Sequence, residues 1–71
     1  MSDLKKHFGL KLKELRNTAG ITQEELADQT EVTIETISNI ERGIFGPRFD
    51  TLDKIASILD IPVKDLFDFD R

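Results

Sequence analysis

Three polar residues, Glu35, Asn39 and Arg42, recur at the helical spacing i, i+4 and i+7, so they fall on one side of a predicted helix. Their groups can bond to the edges of base pairs: the amide can pair with adenine, the carboxylate can accept from cytosine, and the guanidinium can reach guanine or a phosphate. Ile34 and Ser38 flank this face, and Ile34 can touch a thymine methyl group. The pattern predicts a DNA-contacting surface; the plain alternative is a solvated helix face.

The residues before this helix favour the first interpretation. Thr22 and Glu25 have the spacing of a capping box, in which a hydroxyl and a carboxylate satisfy free amides at a helix start. The predicted turn, Thr30-Glu31-Val32, is short and ends on an apolar residue that plugs it. Thr33 is placed to cap the next helix, which Gly43 ends. Two helices joined this way form a helix-turn-helix, whose second helix enters the major groove of DNA.

The remaining chain is predicted to be helical as well, because apolar residues recur at helical spacing and no segment alternates like a strand. We predict an all-α fold of five short helices, over about residues 3–17, 22–29, 33–42, 50–59 and 62–67. They form one domain over residues 1–71, with its core in 4–67 and a frayed tail at 68–71. The residues predicted to face the core are Leu4, Phe8, Leu12, Leu15, Leu26, Ala27, Ile37, Ile40, Leu52, Ile55, Ala56, Leu59, Val63 and Leu66.

Composition excludes several classes of protein. The 71 residues include no Cys and one His, so disulfides, thiolate zinc sites and histidine metal sites are not expected. No apolar run approaches the roughly 20 residues that span a bilayer, and charges interrupt the N-terminal segment, which excludes a signal peptide. We therefore expect a cytoplasmic protein with no cofactor, no metal, no membrane contact and no evident small-molecule site.

The net charge of −4 argues against general nucleic-acid binding. Acid is concentrated in the tail, at Asp60, Asp65, Asp68 and Asp70. Basic residues lie earlier, among them Lys11, Lys13, Arg16, Arg42 and Arg48. Since docking on DNA needs basic charge on one face only, we expect few phosphate contacts and modest non-specific affinity.

Catalysis is not predicted. Ser38 has no base fixed beside it, and the carboxylate pairs are typical of solvated faces and helix starts. The segment Gly43 to Pro47 lacks the Lys-Ser/Thr of a phosphate-binding loop. We expect no enzyme.

Two segments, FGLKLKELRNTAGITQEELADQTEVTIETISNIERG and GPRFDTLDKIASILDIPVKDLF, together resemble the phage-repressor/Cro (XRE-type) helix-turn-helix family over residues 8–67. The resemblance implies a compact lambda-repressor-like domain that regulates transcription. Compact members include restriction-modification controller proteins and SinR-like repressors, and both branches remain open. The matching positions are Gly9, Arg16, Thr22, Gln23, Glu24, Glu25, Leu26, Ala27, Ile37, Ser38, Ile40, Glu41, Arg42, Gly43, Pro47 and Leu52.

The resemblance also implies roles for particular residues. Base edges would be contacted by Ile34, Glu35, Thr36, Ser38 and Asn39. Phosphates or the minor groove would be contacted by Gln23, Arg42, Gly43, Gly46 and Arg48. Arg16 and Glu41 match an internal ion pair that joins the first helix to the third.

Two residues depart from the family pattern. Glu31 stands where members often have glycine. If the φ of this residue is positive, Glu costs about 1 kcal/mol of stability relative to glycine. Glu35 places a carboxylate near phosphates, so it needs a specific cytosine to offset the repulsion. Both residues suggest either sharp selectivity or weak binding.

Apolar residues beyond what five short helices can bury predict a self-association surface, in the region where the resembling family builds its dimer contact. These residues are Ile58, Ile61, Val63, Phe67 and Phe69. The alternative is that they pad the edge of the core. The leading hypothesis is a homodimeric regulator that binds a pseudo-palindromic operator in double-stranded DNA and is open to a protein antagonist. The alternative hypothesis is a protein-interaction module or antitoxin of the same fold.

Overall fold

The computed structural model, which describes residues 3–69, contains four α-helices and one short 3-10 helix, and no strand within those residues. The α-helices are α1 (Leu4–Thr18), α2 (Gln23–Thr30), α3 (Ile34–Glu41) and α4 (Phe49–Leu59), and the 3-10 helix is Val63–Phe67. The all-helical prediction is confirmed. The fifth element differs from the predicted α-helix: Pro62 lies just outside it, and a five-residue segment is short enough to keep the tighter 3-10 pattern.

The predicted caps are present around α2 and α3. Thr22 Oγ1 accepts a hydrogen bond from the amide of Glu25 at 3.0 Å, and the Thr22 amide donates to Glu25 Oε1 at 2.8 Å, so the capping box is complete. Thr33 Oγ1 accepts from the amide of Thr36 at 3.1 Å. The turn begins one residue later than predicted, because Thr30 still belongs to α2 and its hydroxyl donates to the helix's own carbonyls.

The core lies between the four α-helices and the 3-10 helix: α3 packs against α1 and α2, α4 packs against α2, and the 3-10 helix packs against α1 and α4. Its fully buried side chains include Leu12, Leu26, Ile37, Ile55 and Leu66. Ten of the fourteen predicted core residues are buried there; Leu15 and Leu59 are only partly buried at its edge, and two more are exposed. Leu4, in the first residue of α1, is 56% exposed, and Val63, which opens the 3-10 helix, is 38% exposed. Each is the first residue of its helix, and the residue one turn further along, Phe8 or Leu66, is buried instead.

The C-terminal segment packs further than the sequence suggested. The Phe69 ring lies 5.5 Å from the His7 ring and 6.2 Å from the Phe67 ring, centroid to centroid. Phe69, which falls within the predicted frayed tail at 68–71, is thus half-buried beside His7 of α1 and Phe67. Residues 70 and 71 lie outside the described part of the chain.

Within residues 3–69, no helix combines the length and the apolar character needed to cross a membrane.

Gly9 allows α1 to approach the end of α3. A Cβ atom built at Gly9 would lie 2.5 Å from the carbonyl oxygens of Ile40 and Glu41. Real Cβ atoms do not tolerate such a distance from backbone, so only glycine fits at this crossing without moving a helix. The crossing thereby fixes the depth at which α3 sits against α1.

We expect Gly9→Ala to lower the free energy of unfolding by about 1–3 kcal/mol, because the methyl group overpacks the crossing. Helix propensity alone predicts the opposite, since replacing Gly by Ala inside a helix would raise the free energy of unfolding by about 1 kcal/mol. Urea denaturation followed by circular dichroism measures the difference. Gly46→Ala is the matched control, since a Cβ there meets no atom within 4 Å. Equal or greater stability of Gly9→Ala would show that the crossing is not tight.

Candidate nucleic-acid interface

Helix α3 divides its side chains between the core and the surface. Ile37, Ile40 and Glu41 are buried, whereas Ile34 and Glu35 are exposed. The other three predicted base-contacting residues are half-buried along the same helix; they are Thr36, Ser38 and Asn39. The structure therefore places all five candidates on one short helix and leaves each of them some accessible surface.

Two hydrogen bonds organise this surface. Arg42, the C-cap of α3, donates from Nη1 to Asn39 Oδ1 at 3.3 Å. The hydroxyls of Thr33 and Thr36 lie 2.9 Å apart at the other end of α3. The first contact joins two residues that were predicted to act separately. The second ties Thr36 to the helix cap, so its hydroxyl serves local structure as well as the surface.

A buried ion pair holds α3 from behind. Arg16 donates from Nε to Glu41 Oε2 at 2.6 Å and from Nη2 to Glu41 Oε1 at 3.0 Å. The two side chains are only 9% and 2% exposed. Arg16 also donates from Nη1 to the Ile21 carbonyl at 2.9 Å. The structure thus brings together the two residues predicted to pair, with the two-pronged geometry in which Arg best satisfies a carboxylate.

Gln23 joins the same pair. Its Nε2 donates to Glu41 Oε1 at 3.0 Å, so the first residue of α2 is bound to the last residue of α3. This contact was missed from the sequence, where Gln23 is predicted to touch a phosphate. The residues are 18 positions apart, and no local pattern indicates the contact. An amide nitrogen carries two hydrogens, so one can bond Glu41 while the other remains available at the surface.

The segment after α3 places the remaining candidates beside the helix. Gly43 has a φ of 78°, and a Cβ there would lie 3.0 Å from the Lys6 Cα, so glycine is needed for both its conformation and its contact with α1. Arg48 is exposed at the N-cap of α4. A groove lined by Thr36, Gly46 and Arg48, among others, runs between α3 and the start of α4. One predicted base-contacting residue, Thr36, therefore shares a surface depression with two predicted phosphate-contacting residues, Gly46 and Arg48.

The turn residue Glu31 has a φ of 64°. This is the positive φ at which Glu is expected to cost stability relative to glycine. Lys54 Nζ on α4 lies 2.8 Å from Glu31 Oε1. This hydrogen bond and the lysine charge lower the pKa of the Glu31 carboxyl below its ordinary value, and Glu31 raises the pKa of Lys54. The pair is exposed and adds little stability, but it offsets the acidic charge at the turn. The sequence prediction missed Lys54, which lies 23 residues away.

The predicted self-association residues are unequal in exposure. Val63 and Phe67 are each 38% exposed. Ile58, Ile61 and Phe69 are partly buried against the core, as the padding alternative described. The Phe67 ring also lies 5.1 Å from the core residue Phe8. Any self-association surface therefore centres on Val63 and the outer part of Phe67.

Comparison with known proteins identifies the family. Residues 12–66 match the helix-turn-helix family HTH_3. A protein of Archaeoglobus fulgidus described as an uncharacterised HTH-type transcriptional regulator is 40% identical over 60 residues, which cover 84% of this chain and 86% of the relative. The chain belongs to the XRE-type helix-turn-helix family of transcriptional regulators, and the resemblance is confirmed.

Two solved structures show the same fold. The restriction-modification controller protein C.AhdI from Aeromonas hydrophila is 36% identical, with a TM-score of 0.84, over 94% of this chain and all of that one (100%). The biofilm master regulator SinR, solved in complex with DNA, is 32% identical, with a TM-score of 0.79, over 86% of this chain and 98% of that one. Both branches that the sequence left open, controller proteins and SinR-like repressors, are therefore similar to this chain. The matched relatives are transcriptional regulators rather than enzymes.

We expect Arg16→Ala to destabilise the fold by on the order of 3–5 kcal/mol, because it leaves the Glu41 carboxylate buried without its cation. A domain of this size has roughly that much stability in total, so the melting temperature should fall sharply. Thermal denaturation by circular dichroism measures it. Lys13→Ala, an exposed change on the same helix, is the control. An unchanged melting temperature for Arg16→Ala would refute the structural role of the pair.

Proposed function

We propose that this protein is a sequence-specific regulator that inserts α3 into the major groove of double-stranded DNA. The observation that carries the proposal is the buried bond between Glu41 and Arg16, which fixes one side of α3 inward. The opposite side then has a defined orientation, and it bears Glu35 and Asn39. Both have groups that discriminate among base pairs in the major groove.

Phosphate contacts would surround the inserted helix. Gln23 lies at the N-terminus of α2, where the helix dipole favours an anion. Arg48 and Gly46 border the surface groove beside α3, and Gly43 lies two residues after the end of α3. With a net charge of −4, affinity would come from a few placed contacts and would depend only moderately on salt.

We further propose that the protein acts as a homodimer. A two-fold axis near Val63 would place two copies of α3 one DNA turn apart, about 34 Å, on a pseudo-palindromic operator. Occupancy of that operator would block or assist RNA polymerase in the cytoplasm. The apolar surface of Val63 and Phe67 supports this arrangement, because it lies on the 3-10 helix, which packs against α1 and α4.

Selection of bound duplexes from a random pool tests the proposal. The expected product is a pseudo-palindrome with half-sites about one helical turn apart. The double variant Asn39→Ala with Arg42→Ala should keep its circular dichroism spectrum and enrich nothing. A folded wild-type protein that enriches no duplex at low salt would contradict the proposal and would favour a protein-interaction module or antitoxin.

We expect Glu35→Gln to relax the preference at one base pair of the selected site, because an amide can donate as well as accept while the carboxylate can only accept from cytosine. The loss of discrimination there should be about tenfold, within the usual range for one base contact. Selection with the variant measures it. An identical preferred sequence would remove Glu35 from the base-contacting set.

We expect Val63→Asp to produce monomers and to weaken operator binding strongly, because a charge would be buried between two copies. Sedimentation equilibrium gives the oligomeric state. Phe49→Asp is the control for the oligomeric state, since Phe49 is 89% exposed on α4 and is not among the predicted self-association residues. A wild-type protein that sediments as a monomer at high concentration would defeat the dimer.

A further inference from the structure

The orientation of the Asn39 side chain is fixed by its neighbour. Arg42 Nη1 lies 3.3 Å from Asn39 Oδ1, across the i, i+3 spacing at which helical side chains meet. A guanidinium has donors and no acceptor, so the Asn39 atom that faces it must be the carbonyl oxygen. The amide nitrogen of Asn39 is therefore turned away from Arg42. Chemistry excludes the flipped arrangement.

Side by side, the two residues present mostly hydrogen-bond donors, because the one acceptor left is the second lone pair of the Asn39 oxygen. The Asn39 oxygen already accepts from Arg42, and within residues 3–69 its Nδ2 bonds no other side chain. The Arg42 guanidinium keeps further N–H groups, and it is exposed at the end of α3. The combined surface carries two Asn39 donors, the remaining Arg42 donors and one positive charge.

Base-pair edges differ in how they suit such a surface. Adenine offers the acceptor N7 next to the N6 amine, which is a donor, whereas guanine offers the two acceptors N7 and O6. An asparagine alone pairs with adenine, using its oxygen for the amine and its nitrogen for N7. Here one lone pair of the oxygen already accepts from Arg42, so the adenine amine would have to bond the second lone pair directly beside a cation. Guanine meets donors at both of its acceptors.

We infer that Asn39 and Arg42 act as one donor unit that recognises guanine, and that Arg42 determines which base Asn39 contacts. The inference rests on the proposed function, because it assumes that α3 enters the major groove. It replaces the separate roles predicted from the sequence, in which Asn39 pairs with adenine and Arg42 contacts guanine or a phosphate. Arg42 is then a specificity-determining residue as well as a source of charge.

Selection of bound duplexes with four proteins tests the inference. Selection with Asn39→Ala identifies the base pair that Asn39 contacts, because that is the position of the site at which the variant loses the base preference of the wild type. The wild type should prefer guanine there. Arg42→Met, which removes the donors and the charge but keeps the length of the side chain, should shift that preference towards adenine by about tenfold or more. Arg48→Met is the control, and it should weaken all sequences evenly.

The contact can also be measured without DNA. The side-chain amide resonances of Asn39 should move in Arg42→Met and stay in place in Arg48→Met, while both variants keep the wild-type melting temperature. Unmoved resonances would overturn the inference. So would adenine at the Asn39 position of the wild type, or an unchanged preference in Arg42→Met, and either result would leave the proposed function standing. Enrichment of no duplex at all would instead remove the proposed function together with this inference.

Discussion

The buried carboxylate of Glu41 is the group on which the arrangement of the helices depends. It accepts two hydrogen bonds from Arg16 of α1 and one from Gln23 of α2, while its own backbone belongs to α3. A charge at 2% exposure is costly unless cations and donors surround it, so the carboxylate is satisfied only when all three helices are in place. Its value is therefore geometrical: the bonds specify one orientation of α3 more than they add net stability.

That orientation links the interior of the molecule to its surface. Glu41 and Ile37 must point inward, so Glu35 and Asn39 must point out or to the flank. The close crossing at Gly9 sets the depth of α3, and the ion pair sets its rotation. In a core as small as this one, two local constraints can determine the position of the helix that we propose to contact DNA. Substitutions in α1 can then alter DNA binding without lying near the duplex.

Local signals in the sequence predicted much of this architecture. The capping box at Thr22 and the cap at Thr33 involve residues three positions apart, so their side chains meet as soon as a helix forms. The periodic apolar residues of α2, α3 and α4 likewise indicate their buried faces. The ion pair of Arg16 with Glu41 came from family resemblance, since no local rule joins residues 25 positions apart.

What the sequence did not indicate depends on distant contacts or on helix ends. Gln23 bonding Glu41 and Lys54 bonding Glu31 require the tertiary fold before the partners are near each other. Leu4 follows the apolar period of α1 yet lies in solvent, because periodicity gives a direction around the helix and says nothing of where the core ends along it. The bond between Arg42 and Asn39 is local, but which Asn39 atom it engages depends on the side-chain geometry of the folded helix.

A chemical-shift map of the protein with a selected duplex tests the central claim most directly. The largest amide and side-chain changes are expected on the outward side of α3 and along the segment from Gly43 to Arg48. The resonances of Arg16 and Glu41 should keep the signature of their mutual bond. A contradicting result would be specific duplex binding in which the chemical shifts on the outward side of α3 do not change and the changes are confined to α1 and the 3-10 helix.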